Sequence, residues 1–152
     1  MAPVPPIDPL RLLVRVHGHM GWLAAIALVH PAILLRHSKR KAHLSVGLAV
    51  GIVTAVFGLG VVIYPDYRDR LRQTIFQQGR SIGYLFERKE HLAYGALLLA
   101  WAGAAAYFGA LKVEGDVRES LRKAAHWAFV AAATLAVVTA TLGIVVAAFK
   151  SF

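Results

Sequence analysis

This chain has no cysteine among its 152 residues. That excludes disulfides, iron–sulfur clusters, thiolate ligation of haem and covalent haem attachment through a CxxCH pattern. Acidic residues are scarce, 8 Asp and Glu against 17 Lys and Arg. The N-terminal Met1–Pro9 carries no basic run and no small-residue cleavage pattern follows it, so the first apolar segment reads as a retained span rather than a signal peptide. Also missing are the Gly-rich loop of a phosphate site and any nucleophile–base pattern of a hydrolase. Nothing has the character of a nucleic-acid module, and no nucleic-acid partner is expected.

Charge is absent over four long stretches: 16–35, 42–65, 91–111 and 124–149 contain no Asp, Glu, Lys or Arg. They run for 20, 24, 21 and 26 residues. A helix needs about 20 residues to cross a hydrocarbon layer of ~30 Å. Segments such as 47–63 and 93–106 are apolar all round, whereas a water-soluble helix alternates its faces. The expected fold is therefore all-α: an integral membrane four-helix bundle running up-down-up-down, one domain over residues 1–152. Its spans fall at about 10–36, 42–64, 85–111 and 117–149. Pro65-Asp66 is expected to stop the second helix. Residues 67–78 would then form an interfacial amphipathic helix, broken by Gly79 and Gly83.

Four spans put both termini and the 67–90 segment on one side, A, and the 36–41 and 112–123 connections on the other, B. Side A then carries nine Lys/Arg and side B eight, which hardly sets an orientation. The tight basic turn Arg36–Lys41 argues for B as cytoplasmic, in a multi-pass protein of a bacterial inner membrane. The excess of positive charge suits a lipid bilayer as partner.

Each uncharged stretch carries a histidine near one end, and ionisable groups inside a span are functional candidates. Counting 1.5 Å per residue, His17 and His91 lie ~9 and ~11 Å toward side A of their span centres. His43 and His126 lie ~15 and ~14 Å toward side B. In an up-down bundle the first and third helices are diagonal, as are the second and fourth. The depths thus pair His17 with His91 and His43 with His126, the arrangement two bis-histidine haems b require. One haem is the reduced form of the same expectation. His19 is an alternate for His17, and His30 for His43. His37, in the basic turn, reads as solvated. Small residues follow the four along their faces, among them Gly21, Gly47, Gly51 and Gly95; taken alone, these read as helix-packing positions. Arg15 and Arg88 flank the side-A pair and Arg36 and Arg122 the side-B pair, as partners for haem propionates or as ordinary interfacial anchors.

These residues resemble the cytochrome b561 type of membrane cytochrome. In that family the first core helix opens on His-Gly, carries a late proline and ends in arginine. Here His17-Gly18, Pro31 and Arg36 stand in that order, and the next helix opens with His43. The resemblance covers about 16–149 in architecture. It implies His17, His43, His91 and His126 as axial ligands and transmembrane electron transfer as the function. The flanking spans and ascorbate-binding residues of that family have no counterpart here, which leaves donor and acceptor open between a quinone and a soluble redox protein. Two rival expectations stand beside it. One is an anchor or accessory subunit of a larger respiratory complex, or a homo-oligomer, with one haem or none. The other is a haem-free structural protein with His17 and His19 as a metal site.

Overall fold

The computed structural model describes residues 9–37 and 41–148, and no strand occurs among them. Five α-helices follow in order: α1 (Pro9–Leu35), α2 (His43–Tyr67), α3 (Gln73–Gln78), α4 (Arg80–Ala110) and α5 (Gly115–Ala148), with a wide π-helical turn at Arg68–Arg72 between α2 and α3. α1, α2, α4 and α5 are each long and apolar enough to cross a membrane. They pack as a ring in which α1 touches α2, α2 touches α4, α4 touches α5 and α5 returns to α1. The chain is an all-α four-helix bundle, with α1 opposite α4 and α2 opposite α5.

The interior is built largely from alanine: Ala25, Ala49, Ala100, Ala125 and Ala132 are buried, with Leu28, Tyr107 and Phe129 as the large side chains among them. Small residues suit a bundle in lipid, where apolar burial gains nothing from water and close backbone approach supplies the contact. Gly103 shows the limit of this, since a Cβ there would lie 3.0 Å from two ring carbons of Phe129. The outside is apolar as well: Ile26 is 67% exposed and Val62 71%. A bundle with such a surface on all sides fits hydrocarbon and not water.

Between α2 and α4 the structure departs from the sequence expectation. Pro65 does not end the second helix; α2 runs through it to Tyr67, and the π-helical turn and α3 prolong it to Gln78. A proline interrupts the i→i−4 ladder without ending a helix when neighbouring turns re-pair the freed groups. Here the ladder resumes directly after the proline, where the Arg68 N–H reaches both the Tyr64 and Pro65 carbonyls. α4 starts at Arg80 rather than near residue 85, directly after Gly79, whose φ of 171° is ordinary extended backbone. The 67–90 segment is thus a helical hairpin that prolongs α2 and α4 beyond their uncharged stretches, not a helix lying flat on the interface.

Three contacts hold this hairpin shut. Tyr67 stacks on Phe86 at 4.8 Å between ring centroids. Arg72 Nη2 donates to Glu87 Oε1 at 2.7 Å. That hydrogen bond, more than any other influence, raises the already high pKa of the Arg72 guanidinium. Gly83, expected to break a helix, lies inside α4 and is buried under the ring of Phe76. A satellite core of Tyr67, Ile75, Phe86 and Val146 joins the hairpin to α5.

The opposite end is closed by Tyr107, a fully buried residue of α4. Its hydroxyl accepts the Ala42 N–H at 2.8 Å, so a side chain 65 residues away satisfies an amide at the start of α2. Tyr107→Phe removes that acceptor while keeping the ring. The expected cost is about 1 kcal/mol of stability, read as a lower unfolding midpoint in detergent with the helical circular-dichroism signal unchanged.

Candidate histidine site

Side-chain contacts set the register between helices and so fix the level of each histidine. On the α2/α4 seam Phe57 meets Tyr94 edge-on at 4.7 Å, and the Trp101 indole N–H donates to Thr54 Oγ1 at 3.1 Å. Three residues past Phe57 in this antiparallel pair, Gly60 comes level with His91. His17 lies against the same glycine, its Cε1 3.0 Å from where a Gly60 Cβ would stand. His17, Gly60 and His91 thus share one level toward side A, on three different helices.

The second level forms in the same way. His30 Nδ1 and Ser45 Oγ are 2.8 Å apart, which sets α1 on α2 and brings Ala32 level with His43. His126 Nδ1 lies 2.8 Å from the Ala32 carbonyl oxygen. His43 packs against Tyr107 at 5.5 Å and Phe108 at 6.5 Å. The four histidines chosen by depth therefore occupy two levels, each pair on opposite corners of the ring. Their burial is unequal: His17 and His126 are half-buried, whereas His43 and His91 are exposed on the bundle's outer side.

The chemistry of the ring nitrogens follows from their partners. A carbonyl oxygen only accepts, so His126 must carry its proton on Nδ1, as must His91, whose Nδ1 lies 2.8 Å from the Glu87 carbonyl. His19 is held alike by the Arg15 carbonyl, at 2.8 Å. In the neutral form of each imidazole, a proton on Nδ1 leaves the Nε2 lone pair for another partner. Metal-ligating histidines are oriented in this manner, by an acceptor that holds the N–H of the nitrogen not bound to the metal. His17 and His19, at positions i and i+2, face different sides of α1, and His17 lies against Gly60 of α2. Among the described residues no three His, Asp or Glu side chains converge as a bare metal ion requires. Haem iron takes only two from the protein.

The accompanying residues divide. A Cβ at Gly21, Gly47 or Gly51 would meet nothing within 4 Å, so these glycines do not serve packing inside the bundle. Gly95 does, since a Cβ there would come 3.0 Å from Leu135 Cδ1 on α5. His43, Gly47, Gly51 and Thr54 lie on one stripe of α2; on α4, Tyr94, Trp101 and Phe108 repeat every seven residues along the face that meets it. One wall of this seam is glycine and the other aromatic. Of the four arginines singled out, Arg15, Arg36 and Arg88 are exposed. Arg122 is buried, 6% exposed, one turn before His126, with its guanidinium 5.7 Å from the Tyr107 ring centroid. Sequence reasoning ranked the four alike and overlooked Tyr107, whose only signal was a tyrosine in an otherwise small-residue run.

Four apolar helices, stacked in a closed ring around an alanine core with an apolar exterior, define a multi-pass membrane protein. No family model, curated protein or solved structure matches this chain.

Proposed function

We propose that the protein is a two-haem membrane cytochrome b that passes single electrons from one face of the bilayer to the other. The observation that carries the reading is the placement of four histidines at two levels, with the Nδ1 protons of His91 and His126 held by main-chain carbonyls. That donor set fits haem b, which when bound supplies a one-electron iron couple. His17 and His91 would ligate on side A, with His19 as alternate to His17. His43 and His126 would ligate on side B, with His30 as alternate to His43. Arg122, buried one turn before His126, would neutralise a haem carboxylate there. The open flanks of Gly21, Gly47 and Gly51 leave room for a flat group beside the helices. A quinone or a soluble redox protein would serve as donor or acceptor.

A dithionite-reduced minus oxidised absorption spectrum of the detergent-purified protein, with haem quantified per chain, tests this. Two b-type haems per chain are expected. A colourless protein from haem-replete cells overturns the reading, and a single haem overturns its two-site form.

We further infer a bacterial inner membrane with the Arg36–Lys41 turn in the cytoplasm, because that turn places four Lys/Arg within six residues of a span end. The absence of native cysteine makes the check direct. In intact spheroplasts a Ser81→Cys variant is expected to react with an impermeant maleimide, while Lys112→Cys stays unlabelled until lysis. The reverse pattern inverts the topology.

A further inference from the structure

A groove of about 340 Å³ runs between α1 and α2 at the side-B end. Its walls are Ala27, Leu34, Leu48 and Ile52, and its polar members are Lys41, His30 and Ser45. We propose that it is a specific site for one anionic phospholipid, seated between the two helices with its acyl chains along the apolar walls.

The order of groups along the groove carries the argument. Lys41 stands before the first turn of α2, at the mouth. Ser45 follows four residues further in, hydrogen-bonded to His30 of α1 at 2.8 Å. Ala27 and Ile52 lie deeper still, farther from the turn on their helices. A phospholipid presents the same sequence along its length: an anionic phosphate, ester carbonyls that accept hydrogen bonds, then hydrocarbon. The His30–Ser45 pair keeps a donor for an ester carbonyl in either tautomer. If Nδ1 donates to Ser45, the hydroxyl proton turns outward; if the hydroxyl donates to Nδ1, the proton sits on Nε2.

Charge selects the anionic headgroup. From Pro9 to Pro65 the sequence contains no Asp or Glu, while Arg36 and Lys41 bracket the α1–α2 turn. A phosphate at the mouth therefore meets cations, and Asp66, the one carboxylate on either helix, lies at the far end of α2. Basic pockets between transmembrane helices bind anionic headgroups on this principle. A quinone shares the hydrocarbon tail and the carbonyl but offers nothing to Lys41.

Native mass spectrometry of the full-length protein, delipidated in detergent and titrated with defined lipids, tests the site. Dioleoyl phosphatidylglycerol is expected to fill one saturable site, several-fold tighter than dioleoyl phosphatidylcholine. Lys41→Gln should weaken that binding about fivefold. Lys112→Gln, which removes an exposed cation outside the groove, should leave it unchanged. The dialkyl-ether analogue of phosphatidylglycerol lacks the ester carbonyls and should bind about two- to tenfold more weakly to the parent protein. It should also be indifferent to His30→Leu combined with Ser45→Ala, which weakens the ester lipid. Helical circular dichroism establishes that the variants fold. Equal binding of the two headgroups, equal loss on Lys112→Gln, or ether binding as tight as ester overturns the proposal, as does a co-purified quinone that phosphatidylglycerol fails to displace.

Discussion

His91→Ala is expected to halve the haem content of the purified protein and leave the remaining haem with the spectrum of an intact six-coordinate site. His126→Ala should do the same for the other haem, and the double variant should be colourless. The levels of the four histidines lie behind this: His91 shares its level with His17, and His126 with His43, at opposite ends of the spans. Neither replacement disturbs the bundle's own packing severely. His91 is exposed and its Nδ1 bonds to the Glu87 carbonyl of its own helix, and His126 gives up one hydrogen bond to Ala32, worth about 1 kcal/mol. Loss of haem with retained helicity would thus report on ligation and not on folding. Full haem content in His91→Ala would refute the side-A pairing. His17→Ala compared with His19→Ala separates two candidates that both keep a ring near that level; the variant that loses haem names the ligand.

The second large effect is structural. Gly83→Val is expected to destabilise the side-A hairpin by about 3 kcal/mol, the upper part of the range for overpacking a close contact. A Cβ at this position would stand 2.5–2.6 Å from three carbons of the Phe76 ring, closer than any side chain tolerates. The expected sign runs against helix propensity, which favours valine over glycine within a helix. Hydrogen exchange checks it: amides of 73–90 should lose protection while those of α5 keep theirs. Phe76→Ala in the same chain should restore most of the loss, because the two changes meet at one contact and their effects do not add. Unchanged protection in Gly83→Val would mean that α3 does not lie on α4 as described.

The bundle was legible from the sequence because the signal is additive over twenty or more residues, and among the described residues each uncharged stretch is almost wholly helical. The hairpin was not legible, because its determinants are single contacts. Pro65-Asp66 reads locally as a stop, yet the π-helical turn carries the chain onward. Gly83 reads locally as a breaker, yet it is present for the sake of Phe76, seven residues earlier on another helix. The same division holds at the site. Depth follows from counting residues along a helix axis, so the two levels were found. Direction depends on which neighbour offers an acceptor, and nothing in the sequence marks the Ala32 or Glu87 carbonyls as those neighbours. Arg122 looked like any interfacial base, since nothing in the sequence marks the Tyr107 ring beside which it is buried.

The closure of the ring has a bearing on how such a chain is made. Helices enter a membrane in the order of synthesis, so α1 and α2 arrive as a pair before the others exist. That pair is unfinished: the Ala42 amide waits for a hydroxyl on α4, and the Ala32 carbonyl waits for an imidazole on α5. Two of the four histidines are likewise synthesised last, so neither level has both its imidazoles until the C-terminal half has been inserted. The side-A pair is complete only once α4 has been inserted and the side-B pair only once α5 has, so a chain stopped after α2 carries half of each pair and the whole of neither.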